Sequence, residues 1–206
     1  GLVADENVEL VETDVPALGD GEALVRTSLV GIDAAVRTWL DDQPGYLPPV
    51  QLGEVVRAAT VGEVVATNCE AYQVGDVVTT LGGFSDYSIA RDDLYTTVMG
   101  RMSEGTAGID RAGLLALFGS TGATAYFGMH DIGKPQAGET VLVSAAAGAT
   151  GSIAGQLAKA AGARVVGLAG SDEKCTAVVD DFEGFVQAPE YAEVIATTMR
   201  RAVEAI

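Results

Sequence analysis

The sequence predicts a β fold followed by an α/β fold: a compact, barrel-like β domain, then the opening of a doubly wound parallel sheet. Three observations predict it. The first hundred residues are short β-branched runs separated by glycines. Near residue 106 the texture changes to helical segments. A near-continuous apolar stretch at 140–145 then enters a glycine-rich turn, a helix and a second apolar stretch.

In the first part, residues 23–30, 59–66, 76–81 and 87–90 have the alternating or β-branched character of strands. Gly19, Gly21, Gly45, Gly53, Gly62 and Gly75 punctuate them as turns or bulges, and Gly82-Gly83 closes the third. Residues 33–40 read as a helix with Val36, Trp39 and Leu40 on one side.

In the second part, 112–118 and 124–127 read as consecutive helical segments, and Pro135 and Gly138 close a loop. The 140–145 run has the composition of a strand buried on both faces of a parallel sheet. A helix at 152–161 turns Ile153, Leu157 and the small Ala154, Ala158 and Ala161 toward the sheet. Residues 163–169 form the second buried strand and 172–180 the next helix. More strands are expected after Asp181, because two parallel strands alone make a marginal sheet. The chain instead continues with Phe182-Glu183-Gly184-Phe185-Val186 and a helix through Tyr191, Val194, Ile195, Met199, Val203 and Ile206.

Charge excludes several functions. Twelve Lys and Arg stand against 29 Asp and Glu in 206 residues, a formal charge of −17 that repels phosphate backbones and anionic membranes. No apolar run approaches the roughly 18–20 residues of a membrane span. The opening residues carry no basic start, so no signal peptide is expected. Cys69 and Cys175 are expected as free thiols in a reducing cytoplasm. With His130 as the single histidine, neither a zinc site of about four Cys/His ligands nor a Ser-His-Asp triad is expected, and no metal is assigned. His130 itself reads as a surface or loop-edge residue.

The chemistry concentrates in Ala145-Ala146-Ala147-Gly148-Ala149-Thr150-Gly151-Ser152, which follows a strand and opens a helix. Small residues there let the backbone approach a pyrophosphate, and the helix start supplies free N–H donors and the positive dipole end. Gly151 lets helix and strand pack closely. The strand–turn–helix–strand order is the context that gives such a pattern meaning. The alternative is a tight turn without a ligand. Gly148, Ala149, Thr150, Gly151 and Ser152 are the candidate cofactor contacts. An NAD site places an acid at the end of the second strand to hold the ribose 2′-OH. Here Gly170 and Ser171 leave room for a 2′-phosphate instead, and Lys174 stands one turn on to neutralise it, so NADP is expected over NAD. The alternative for Lys174 is a solvated helix residue. Asp172 and Glu173 read as acids complementing a helix dipole.

At these residues the chain resembles the zinc-independent medium-chain dehydrogenases/reductases, in the leukotriene B4 dehydrogenase or prostaglandin (alkenal) reductase branch. The matching blocks are 46–54, 60–65, 124–128, 139–152 and 169–175, and the resemblance covers nearly everything up to Asp180. It implies a GroES-like catalytic domain at 1–110 and an incomplete Rossmann NADP-binding domain at 111–186. A helix at 187–206 would return to the cleft or the catalytic domain. It implies NADPH-dependent reduction of the activated C=C bond of enones or enals, with hydride to the β carbon and a proton to the α carbon. A quinone oxidoreductase of the same superfamily is the neighbouring alternative. By position, Ala149, Thr150, Gly151 and Ser152 would line the pyrophosphate turn and Lys174 would hold the 2′-phosphate. Thr124 would stand toward the nicotinamide. Tyr46 would border the substrate pocket, the alternative being a loop aromatic packed beside Pro48 and Pro49.

Departures from the family pattern limit what carries over. Asp33-Ala34-Ala35 replaces its Asp-Pro-Tyr, so one pocket wall is expected to differ. Its first strand has no counterpart before Gly1, and its later Rossmann strands and active-site tyrosine have none after Asp181, so no catalytic acid is assigned. The expectation is that a full reductase exists of which these residues are part. The alternative is a non-enzymatic NADPH-binding or dimerisation module. The resemblance also implies a cytoplasmic homodimer acting on a small α,β-unsaturated carbonyl substrate, with 184–186 as an edge strand near a two-fold axis.

Overall fold

Alternation of small apolar residues builds the first sheet. In β1 (Glu22–Val30) Ala23 and Val25 are fully buried while their neighbours are half-buried or exposed, the period-two pattern of a strand with one face on a core. The computed structural model describes residues 3–43, 45–93, 95–99, 110–176 and 184–187. It divides into two compact units, 1–115 and 116–206.

In the first unit β1 pairs antiparallel with β2 (Thr60–Thr67) and β4 (Tyr87–Arg91), and β2 pairs with β3 (Val77–Thr80). A two-residue β5 (Thr97–Val98), not expected from the sequence, completes the order β4-β1-β2-β3-β5. Register shifts between Leu24 and Val25 and between Thr27 and Leu29 bulge β1 against β2. Gly62 sits opposite Thr27, where a Cβ would lie 2.3 Å from Val25 Cγ1 and 2.6 Å from the Arg26 carbonyl oxygen. The core is Ala23, Val25, Val64, Tyr72, Val78 and Ala90. The expected helix at 33–40 is α1 (Ala34–Trp39), capped by Asp33, whose carboxylate accepts the Ala35 amide at 2.7 Å.

The second unit holds α2 from its last turn (Arg111–Phe118 overall) and α3 (Ser120–Phe127). A single π-helical turn follows over Gly128–Gly133, where a loop edge was expected, and the left-handed Lys134 (φ 46°) ends it. β6 (Thr140–Val143), α4 (Ala149–Ala160), β7 (Arg164–Ala169), α5 (Asp172–Thr176) and β8 (Gly184–Gln187) come next. The strands form a parallel sheet in the order β6-β7-β8.

Several expectations change. The edge strand expected at 184–186 is β8, and it lies parallel beside β7 as a third strand of that sheet. The first strand ends at Val143 rather than at 145, and α4 begins at Ala149 rather than at Ser152. Ala161 caps α4 and is exposed; Gly155 and Ala158 are the residues it buries. β6 is not covered on both faces. Leu142 is 54% exposed, whereas Val165 and Leu168 of the middle strand are buried. The difference follows from the order, since β6 has a neighbour on one side among the described residues. Residues 177–180 of the expected helix and the whole 187–206 helix beyond Gln187 lie outside the described residues.

Candidate functional site

The turn between β6 and α4 is built around the carbonyl of Ala145. After Val143 the chain reverses through Ala145 in the left-handed region (φ 49°), an unusual state for a residue with a side chain. Ala146 is fully buried and its amide donates to the Leu168 carbonyl at 2.9 Å, which ties the turn to the carboxyl end of β7. The Gly148 amide donates back to the Ala145 carbonyl at 2.8 Å and closes the turn. Gly148 is extended and brings no capping side chain. The first helical bond runs from the Ser152 amide to the Gly148 carbonyl at 2.9 Å.

That start leaves the amides of Ala149, Thr150 and Gly151 without intrahelical acceptors, at the positive end of a 12-residue helix. Gly148, Ala149 and Thr150 are exposed. Gly151 faces the turn itself: a Cβ there would stand 2.3 Å from the Ala145 oxygen and 3.0 Å from the Ala146 Cα. Ser152 differs from its neighbours, because its hydroxyl donates to the Ala149 carbonyl at 3.1 Å and its amide is spent on Gly148. The donor set, two exposed amides and a third beside them on a surface without side-chain bulk, suits a diphosphate.

β6 and β7 run parallel in register, Val143 opposite Gly167, so Gly170, Ser171 and Lys174 follow the strand end to which the turn is tied. Gly170 is exposed and a Cβ there would meet no atom within 4 Å. Ser171 caps α5, its Oγ accepting the Lys174 amide at 3.3 Å, and its hydroxyl proton has no acceptor among the described residues. Lys174 is exposed, with no ion pair among the described residues. No carboxylate precedes Asp172 at this strand end. This strand end therefore presents an exposed cation at Lys174 and an exposed Gly170, with Asp172 as the first carboxylate after β7.

Thr124 lies on the exposed side of α3, which packs against α4; its hydroxyl donates to the Ser120 carbonyl at 2.7 Å. A shallow depression of about 560 Å³ is lined by Met129, Gly133, Pro135, Glu139, Thr140 and Val141. It sits at the amino end of β6, the opposite end from the glycine-rich turn.

Tyr46 belongs to the first unit and is 75% exposed. It has a hydrogen-bond and ring partner in Trp39. The Trp39 indole Nε1–H donates to the Tyr46 hydroxyl at 3.1 Å, with the rings edge-on at 6.3 Å. The Arg57 guanidinium lies over the Trp39 ring at 5.8 Å and donates from Nη1 to the Pro48 carbonyl at 2.8 Å. Sequence reasoning missed Trp39 as the partner of Tyr46 and Arg57 as the partner of Trp39; a lone tryptophan near an arginine was the available signal. His130 is exposed, stacked on Tyr126 at 4.9 Å and paired with Asp131. Cys69 and Cys175 are free and half-buried. Among the described residues no cluster of three His, Cys, Asp or Glu is placed to hold a metal ion, and no helix is long and apolar enough to cross a membrane.

Comparison with known proteins adds sequence and fold relatives. A family model described as the N-terminal domain of oxidoreductase matches residues 1–98. The NADPH-dependent curcumin reductase of Escherichia coli K12 is 41% identical over 176 residues, 85% of this chain and 49% of that protein. Prostaglandin reductase 1 of Bos taurus is 36% identical over 174 residues, 84% of this chain and 50% of that protein. The crystal structure of CurA from Vibrio vulnificus in complex with NADPH superposes with a TM-score of 0.77 at 34% identity, covering 96% of this chain and 58% of that one. The chain thus spans about half the length of the curated relatives it matches.

Proposed function

The chain belongs to the zinc-independent medium-chain dehydrogenases/reductases, in the leukotriene B4 dehydrogenase/prostaglandin reductase branch, and from that premise we propose that the protein is an NADPH-dependent reductase of the activated C=C bond of enones and enals. The observation that carries the reading is the turn at the carboxyl ends of β6 and β7, with its free amides, and the uncontested cation at Lys174. When bound, NADPH supplies the hydride that reaches the β carbon; a proton added at the α carbon completes the saturated carbonyl, and NADP⁺ is left.

In this reading the amides of Ala149, Thr150 and Gly151 bind the diphosphate, with Gly148 giving it access. Gly170 leaves room for the 2′-phosphate, Ser171 donates its hydroxyl proton to it, and Lys174 neutralises it. Ser152 steadies the first turn of α4 through its hydroxyl. Thr124 stands toward the nicotinamide, and Tyr46 borders the substrate pocket. The proton donor is assigned to no residue. Residues 1–110 act as the catalytic domain and 111–186 as the cofactor domain.

The same reading takes the protein as a cytoplasmic homodimer acting on small molecules and not on nucleic acid. The charge of −17 supports the last point, and among the described residues β8 stands at the end of its sheet, an edge that would suit pairing across a two-fold axis. A monomer by light scattering would remove the dimer.

The test is consumption of reduced cofactor by the full-length product of the coding sequence, with an enone panel, a quinone panel, and NADPH against NADH. Enone-dependent oxidation of NADPH is expected. Turnover of quinones alone would move the protein to the neighbouring branch. NADPH binding without turnover of either panel would favour the non-enzymatic module.

A further inference from the structure

We propose that Trp39 and Arg57 are positioning residues that orient the Tyr46 hydroxyl as a hydrogen-bond donor to a carbonyl oxygen of the substrate. The proposal rests on the reading of Tyr46 as a substrate-pocket residue and adds to it the device that aims the hydroxyl.

The three side chains form a directional series. Indole Nε1–H is a donor only, so its 3.1 Å bond to Tyr46 fills an acceptor site on the phenol oxygen. The phenol proton finds no acceptor among the described residues and is left pointing to whatever meets this exposed side chain. A hydroxyl that already accepts is a better donor, because consecutive hydrogen bonds polarise one another. Arg57 holds the other end. Its cation lies 5.8 Å over the indole, within the range of a cation–π contact, and its Nη1 grips the Pro48 carbonyl two residues from Tyr46. The backbone adds a third tie, from the Val50 amide to the Trp39 carbonyl at 2.8 Å. The loop carrying Tyr46 is therefore pinned to α1 and to the residue before Ala58 by contacts that converge on Trp39. A carbonyl oxygen is the acceptor chemistry this fits: uncharged, with lone pairs and no proton of its own.

A double-mutant cycle in the full-length protein tests it, with kcat and KM read for an enone and KM for NADPH as control. Tyr46→Phe is expected to lower kcat/KM for the enone on the order of tenfold. Trp39→Phe keeps a ring for Arg57 and removes the N–H; it is expected to give a several-fold loss with KM for NADPH unchanged. In the Tyr46→Phe background Trp39→Phe is expected to do nothing further. If Tyr46→Phe lowers kcat/KM but Trp39→Phe is silent or fully additive, the positioning role is overturned and the pocket assignment survives. If Tyr46→Phe itself is silent, or if the unsubstituted protein reduces no enone, the pocket reading falls and the proposal falls with it. Melting temperatures of the three variants separate either result from unfolding.

Discussion

The Cα of Gly151 packs so closely on the carbonyl of Ala145 that a Cβ built on it would stand 2.3 Å from that oxygen. The same oxygen accepts the Gly148 amide at 2.8 Å. One carbonyl thus both closes the turn and sets how near α4 approaches β6.

Gly151→Ala puts two effects in opposition. Alanine favours a helix over glycine by about 1 kcal/mol. The clash is with backbone rather than with a flexible side-chain end, and overpacking of that kind costs about 1–3 kcal/mol. The clash wins, and relief requires the turn to open where the free amides lie. A lower melting temperature and a rise in the KM for NADPH of roughly tenfold or more are expected, by thermal unfolding and steady-state kinetics.

Lys174→Ala removes the cation at the end of β7. Hydrogen bonds to charged groups are worth about 1.5–3 kcal/mol, so Kd for NADPH is expected to rise roughly ten- to hundredfold while Kd for NADH stays put. Lys174 is exposed, so added salt should narrow the difference. Equal losses for both cofactors in a titration would remove Lys174 from the 2′-phosphate.

Glu22 starts β1, and the Gly19 amide at 2.9 Å, together with the Arg91 guanidinium, holds its carboxyl below the ordinary value of 4.5 against an opposing desolvation. A lowered folded value means the carboxylate stabilises the fold fully above about 4.5, and that this stability is lost as pH falls through the folded value. Glu22→Gln should therefore lower the urea midpoint at neutral pH and make little difference in acid. A gap that persists unchanged at low pH would contradict the assignment.

Gly62→Ala tests the bulged pairing of β1 and β2. Its Cβ would meet Val25 Cγ1 at 2.3 Å and the Arg26 oxygen at 2.6 Å. Val25 is fully buried and cannot swing away, so a loss of about 1–3 kcal/mol is expected from chemical denaturation.

Much of this was legible in local chemistry. The strands at 23–30, 59–66, 76–81 and 87–90 lie within a residue of β1 to β4, because alternation and glycine punctuation are written residue by residue. The small-residue link between β6 and α4 was legible for the same reason, although residues 149–151 belong to the helix. β5 was not, since two residues carry no periodicity and the strand exists only by pairing with β3. β8 was expected as an edge strand at 184–186, but its parallel pairing with β7 was not legible, since that depends on how the strands come together. The start of α4 was placed three residues late because Ala149, Thr150 and Gly151 read as loop, whereas extended Gly148 lets the helix begin at once.

The sequence by itself determined the order of elements, the acidic composition and the candidate contacts for a phosphate-rich cofactor, since each depends on residue type and spacing. Only the tertiary structure decided what each residue does with its polar groups. It spent the amide and hydroxyl of Ser152 inside the helix, left the amides of Ala149 and Thr150 without intrahelical acceptors, and seated Gly151 on a carbonyl. It joined Tyr46 to Trp39 and Trp39 to Arg57 across 7 and 18 positions of chain. Such pairings depend on which loops fold back against which helix, and that is settled by packing, not by any pattern between neighbours along the chain.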